Sequence, residues 1–355
     1  MPSGALAFPS RPASGQSSLV VRVRAAVFVV AAAACFTQCA VMPVRRTQAP
    51  RLHPATWSAG DGKSLPYAHW PAASSSRSPS DQPKAVLLCV HGLSGASSDF
   101  WPLGQELPNR GLAVYGMELR GQGLDPDVTA RGDIRDRREW MRDLREFSSL
   151  VASEHPGVPV FWLGESMGAL IVLHTVTDGP GEESARPRGI ILLSPAVALR
   201  PELPRWKGYF ARAASRLVPG HRVPLADLDP GQVPDMRITR DATQASQAPL
   251  TPHLVSAHSL RLLREVHALM ARSQYAAARL TLPVLVLYTP NDPVASRAQI
   301  ERWFQHIDSL DKTPLFFPDD YHLILHDDDR WEAVGGIADW LLGHVPKPTG
   351  TGRLR

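Results

Sequence analysis

Four short stretches hold side chains whose types and spacing could carry nucleophilic chemistry. Gly164-Glu165-Ser166-Met167-Gly168 follows the apolar run Val160-Phe161-Trp162-Leu163 and opens another, Ala169-Leu170-Ile171-Val172-Leu173. A serine on a sharp strand-to-helix turn lifts its hydroxyl above the sheet edge, and the flanking glycines let strand and helix approach. The helix N-terminus beneath it favours developing negative charge. A glycine-rich turn with an incidental serine is the bland alternative; the apolar run on each side argues against it. His322, after Tyr321, offers a ring that can take the serine proton. Asn291-Asp292-Pro293 offers a carboxylate to fix the tautomer of that ring. His326 rivals His322, and Asp319 and Asp320 rival Asp292. His322 stands closer to the preceding apolar run, and the two acids sit too near the histidine in sequence to face it. His91-Gly92-Leu93-Ser94-Gly95 follows the run Ala85-Val86-Leu87-Leu88-Cys89-Val90. A turn there can donate a backbone N–H to an oxyanion, and the residue after the nucleophile donates a second, which assigns Leu93 and Met167 through their main chain. The His91 side chain is read as a buried residue that shapes the turn.

These residues need elements to hold them. Continuous apolar runs at 85–90, 112–117, 158–163, 190–193, 284–288 and 313–317 suit strands buried on both faces. Helical spacing is read at 99–110, 138–155, 167–178, 296–307 and 331–345. Strand and helix taking turns predicts an α/β fold with a mostly parallel, doubly wound sheet. The order Ser166, Asp292, His322 suits such a sheet, with room for one helix and one strand between acid and histidine. Asp61-Gly62 between candidate short strands predicts a hairpin over 56–70. From 201 to 280 no buried strand is expected. Helical stretches at 206–217 and 259–278 flank a loop rich in Pro, Asp and Gln, so this is read as a helical insertion after the strand at Ile190. It should fold over the mouth of the site, with Trp206, Tyr209, Phe210, Leu263 and Met270 among its apolar residues.

The chain has 355 residues, 44% hydrophobic and 20% charged, which suits a globular protein. Its net charge is +4, and much of the excess lies at the two ends. No internal run of Lys and Arg is interleaved with aromatic residues, so no nucleic-acid partner is expected. Arg22 and Arg24 precede the apolar stretch from Ala25 to Phe36, as in an export signal. Ala32-Ala33-Ala34-Cys35 resembles a bacterial lipoprotein cleavage box. Cys39, after Gln38, is the poorer lipid acceptor, and an uncleaved membrane anchor is the alternative. The expectation is an exported, envelope-associated protein whose body carries a single cysteine, Cys89. The expected division is a targeting segment at 1–42, a linker at 43–55, sheet domain at 56–200 and 281–346, helical cap insertion at 201–280 and a tail at 347–355.

Together His91-Gly92, Glu118-Leu119-Arg120-Gly121-Gln122-Gly123, Gly164-Glu165-Ser166-Met167-Gly168, Asn291-Asp292 and Tyr321-His322 resemble the monoacylglycerol lipase and lysophospholipase branch of the α/β hydrolases, also called serine aminopeptidase-like. The resemblance spans roughly Trp57 to Val345. One departure is Glu118, where that family usually has Asp. The resemblance implies a serine hydrolase acting on small-molecule acyl esters, lipids included, with no metal or organic cofactor and a helical cap lining the acyl pocket. An amidase or aminopeptidase with the same triad, and a non-catalytic binding module of the same fold, are the other readings. His253, His258 and His267 lack the Cys or acid spacing of a metal site. Arg120-Gly121-Gln122-Gly123 lacks the ending of a phosphate loop.

Overall fold

The computed structural model describes residues 47–73, 82–178, 186–200, 214–224, 227, 237–247 and 250–346. The expectations for the segment 1–42, for Trp206, Tyr209 and Phe210, and for the tail fall outside those residues.

The chain begins with three antiparallel strands: β1 (Arg51–Leu52), β2 (Thr56–Ser58) and β3 (Ser64–Trp70). The turn between β2 and β3 carries Gly62 at φ 90°, a conformation that glycine adopts without strain. Then follow β4 (Ala85–Val90), α1 (Trp101–Glu106), β5 (Leu112–Met117), α2 (Arg138–Glu154), β6 (Val160–Glu165), α3 (Met167–Thr177) and β7 (Ile190–Leu193). Beyond the sheet lie β8 (Arg222–Pro224), α4 (Ala242–Gln247), β9 (Ala257–Ser259) and α5 (Leu260–Ala277). The chain returns through β10 (Val284–Tyr288), α6 (Arg297–Gln305), β11 (Lys312–Phe316) and α7 (Arg330–His344).

Nine strands form one sheet in the order β1-β2-β3-β5-β4-β6-β7-β10-β11. From β5 to β11 every neighbouring pair is parallel. The fold is that of an α/β hydrolase, and side-chain alternation explains why it needs two covering layers. In β4, Val86, Leu88 and Val90 join one apolar cluster with α2, α3, α5 and α6. Ala85, Leu87 and Cys89 join the opposite cluster with α1 and α7. β6 divides the same way: Trp162 points to the first cluster, Phe161 and Leu163 to the second.

Three local expectations shift. The helix read at 99–110 is α1 flanked by 3-10 turns at Ser97–Phe100 and Leu107–Arg110. Pro102 and Pro108 supply no N–H, so each starts a new helical turn instead of continuing one. β6 runs two residues later than expected. Its ladder pairs Val90 with Gly164 and Leu193 with Glu165, which carries the strand up to Ser166. The insertion does contain strands: β8 and β9 pair as a short antiparallel ribbon. At three residues each, they are too short to show a period of two.

Candidate active site

β6 ends at Glu165 and α3 starts at Met167, so Ser166 alone makes the turn. Its backbone sits at φ 54° and ψ −114°, outside the favoured regions for an L-residue. The glycines are required by contact. A Cβ on Gly164 would stand 2.4 Å from the Gly168 carbonyl oxygen, and one on Gly168 would stand 2.1 Å from that of Val90. The Ser166 N–H donates to the Leu193 carbonyl at 2.9 Å, which fixes the turn to the neighbouring strand.

His322 follows β11, and Asp292 follows β10. Ser166 Oγ lies 2.9 Å from His322 Nε2, and His322 Nδ1 lies 2.8 Å from Asp292 Oδ2. The second Asp292 oxygen accepts the N–H groups of Val294 at 2.7 Å and Ala295 at 3.3 Å, so the carboxylate is held at both ends. Asp292 is fully buried and His322 is 6% exposed. Burial pushes the imidazole pKa down, yet the charge and hydrogen bond of Asp292 outweigh it and leave the ring above its ordinary range.

The rivals go elsewhere. His326 is buried with its Nδ1 unpartnered and its ring 6.2 Å from that of Trp101. Asp319 is exposed, and Asp320 faces Arg240 at 3.2 Å.

Gly92 stands against Ser166: a Cβ there would be 3.1 Å from Ser166 Cβ. Among the described residues, neither the Leu93 nor the Met167 N–H has a hydrogen-bond acceptor. His91 is wholly buried; its Nδ1 meets the Gly92 carbonyl at 2.9 Å, and its Nε2 accepts the Leu119 N–H at 3.1 Å. Glu118 ties the same turn down, accepting the Ser97 N–H and the Leu124 N–H at 2.9 Å each. A Cβ on Gly123 would fall 1.9 Å from Glu118 Oε1, so the glycine leaves room for this longer acid. Arg120 joins an ion-pair network with Asp143 and Asp61 at 2.6 and 2.8 Å.

The three histidines of the insertion have separate surroundings. His253 meets Asp99 at 3.3 Å, His258 Nε2 meets Ser94 Oγ at 2.9 Å, and His267 is exposed. Ser94 Oγ also donates to the Val255 carbonyl at 2.9 Å, so the insertion grips the turn that carries Leu93. That grip, the burial of Glu165 beside Ser166 and Arg240 beside the His322 loop escaped sequence reasoning.

A family profile described as serine aminopeptidase, S33, matches residues 81–329. The chain belongs to the serine aminopeptidase S33 family. It is therefore a hydrolase, and relatives in the same fold share most of its length. A monoacylglycerol lipase of Mycolicibacterium smegmatis is 28% identical over 275 residues, covering 75% of this chain and 91% of the relative. A phospholipase of Bacillus subtilis is 27% identical over 253 residues, covering 70% of this chain and 92% of the relative. The structure of a soluble variant of a Saccharomyces cerevisiae monoglyceride lipase superposes with a TM-score of 0.71 at 21% identity, covering 87% of this chain and all of that one.

Proposed function

We propose that the chain is a lipase- or esterase-type serine hydrolase that cleaves carboxylic esters of acyl chains, with monoacylglycerols and lysophospholipids as the substrate class. One observation carries the reading: the unbroken line from Ser166 Oγ through His322 to Asp292, at 2.9 and 2.8 Å. His322 Nε2 takes the Ser166 proton as Oγ attacks the ester carbonyl, and Asp292 stabilises the imidazolium that forms. The N–H groups of Leu93 and Met167 receive the oxyanion. The tetrahedral intermediate expels the alcohol, which takes the proton from His322. Water, activated by the same ring, then releases the acid from Ser166. The lipase and phospholipase among the relatives support an acyl ester as substrate.

Ser166→Ala tests the reading. It should lower ester hydrolysis by on the order of 10⁴-fold or more and abolish fluorophosphonate labelling of a folded protein. Labelling retained at another serine would sink the assignment.

The family description favours a second reading, amide cleavage by the same three residues. Matched ester and amide substrates separate the two, because the leaving group is selected by pocket shape. We also propose export to the cell envelope, with Cys35 as the first candidate for lipidation. This rests on Arg22, Arg24, the apolar stretch after them and the small residues before Cys35.

A further inference from the structure

Residues 238–241 of the insertion are bonded along their length to the loop that carries His322. The Ile238 carbonyl accepts the Leu323 N–H at 2.9 Å, and Thr239 Oγ1 donates to the His326 carbonyl at 2.7 Å. Arg240 donates its backbone N–H to Asp327 Oδ1 at 3.0 Å. Its guanidinium lies 3.2 Å from Asp320, 3.5 Å from Asp327, 3.4 Å from Asp328 and 3.5 Å from Asp329. Asp241 reverses the pairing by bonding Arg330. Arg237 lies over the Tyr321 ring at 5.7 Å, and His326, further along the same loop, is buried. The second oxygen of Asp327 accepts the N–H of Tyr321, the residue before His322, at 2.8 Å.

We propose that Arg240 is a positioning residue for the general base: paired with buried Asp327 and buried Asp320, it holds the Asp327 carboxylate against the Tyr321 N–H and so keeps the chain aimed correctly into His322. This rests on the triad reading above. The side chains of Asp320 and Asp327 are both fully buried, and one Asp320 oxygen has no partner. Two carboxylates out of water need a cation between them, since removing one member of a buried charge set leaves the rest uncompensated. Burial, then repulsion from Asp327 and Asp329, already pushes Asp320 up to about 7 against the pull of the Asp329 N–H and of Arg240. Without Arg240, the strain between the buried carboxylates is relieved when Asp320 takes up a proton. The loss of Arg240 should therefore hurt most at high pH, where no proton is at hand, and least at low pH, where Asp320 is neutral.

The test compares wild type, Arg240→Gln, Arg240→Lys and the double variant Arg240→Gln with Asp320→Asn. Hydrolysis of p-nitrophenyl butyrate and the rate of fluorophosphonate labelling are followed from pH 6 to 8.5. Arg240→Gln should lower kcat ~50-fold at pH 8.5 and only ~5-fold at pH 6, with KM within about twofold. Arg240→Lys should recover most of the loss. Adding Asp320→Asn should bring the Gln variant at pH 8.5 back to its level at pH 6. An unchanged kcat would overturn the proposal, as would a loss that is equal at every pH and indifferent to Asp320→Asn. If Arg240→Gln alone does not fold, the double variant decides: active protein supports the proposal, and folded inactive protein overturns it. Wild type that fails to label at Ser166 would instead overturn the triad reading.

Discussion

Glu165 stands between Gly164 and Ser166 with one carboxyl oxygen unpartnered. Burial pushes its pKa up to about 7; His322 and His91 draw it down and Asp99 adds to the rise. Between pH ~4.5 and ~7 the folded chain then holds a proton that the unfolded chain has released, so this group makes stability fall as pH rises through that window. Glu165→Gln should therefore match wild type near pH 4.5 and exceed it by about 3 kcal/mol at pH 8 in denaturant unfolding. Unfolding curves that stay parallel across the range would show that the carboxyl ionises normally. At the same scale, His322→Ala should cost on the order of 10⁴-fold in kcat/KM, and His326→Ala less than about tenfold. Asp292→Asn should be as damaging as a misaligned base, and Asp319→Asn close to neutral; stopped-flow or steady-state ester assays rank the four. The hydrogen-bonded line of Ser166, His322 and Asp292 could be expected from the sequence because each of the three sits just past an apolar run, in a fixed chain order. Glu165, Arg240 and the Ser94–His258 bond could not. Their meaning comes from partners 87 and 164 residues away in the cases of Arg240 and Ser94, and local pattern does not reach so far. The charge-reversed pairs Arg240-Asp241 and Asp327 with Arg330 were the one available hint.

Strands buried on both faces announce themselves as unbroken apolar runs, which is why β4, β5, β7 and β10 match their expected limits. Prolines displaced the helix at 99–110, and the two-strand ribbon of the insertion had no period to detect. α5 shows how one helix can serve two surfaces. Leu262, Leu269 and Ala276 sit in the same apolar cluster as α3, and His174 Nε2 of α3 lies 2.8 Å from the Leu269 carbonyl. Leu263, Val266 and Met270 form a half-buried stripe beside that face. If this stripe borders the acyl chain, a polar residue at Leu263 or Met270 should weaken long-chain esters more than short ones, by ~0.8 kcal/mol for each methylene that is no longer covered. A series of esters of graded length reads this directly. Equal losses along the series would assign the stripe to packing alone.

Ser166, Asp292 and His322 come from three distant parts of the chain, so the hydrogen-bonded line between them exists only once the sheet has closed. Residues from Arg46 onward form one compact unit that holds all of them. Among the described residues, no helix is long and apolar enough to cross a membrane. A chain beginning at Thr47 should therefore melt cooperatively and keep ester hydrolysis within about twofold of the full chain. Loss of folding on that truncation would mean that the leading segment is part of the core. The sheet's own interior carries one more consequence. Cys89 is fully buried in β4, and burial raises its thiol well above the usual range. The shortened chain then presents no thiol that alkylating reagents or mild oxidants can reach. Reducing agents should leave its activity unchanged. A cysteine placed at exposed Tyr275 would be the sole site for a dye or spin label, so movements of α5 during turnover could be followed without removing any native residue of the core.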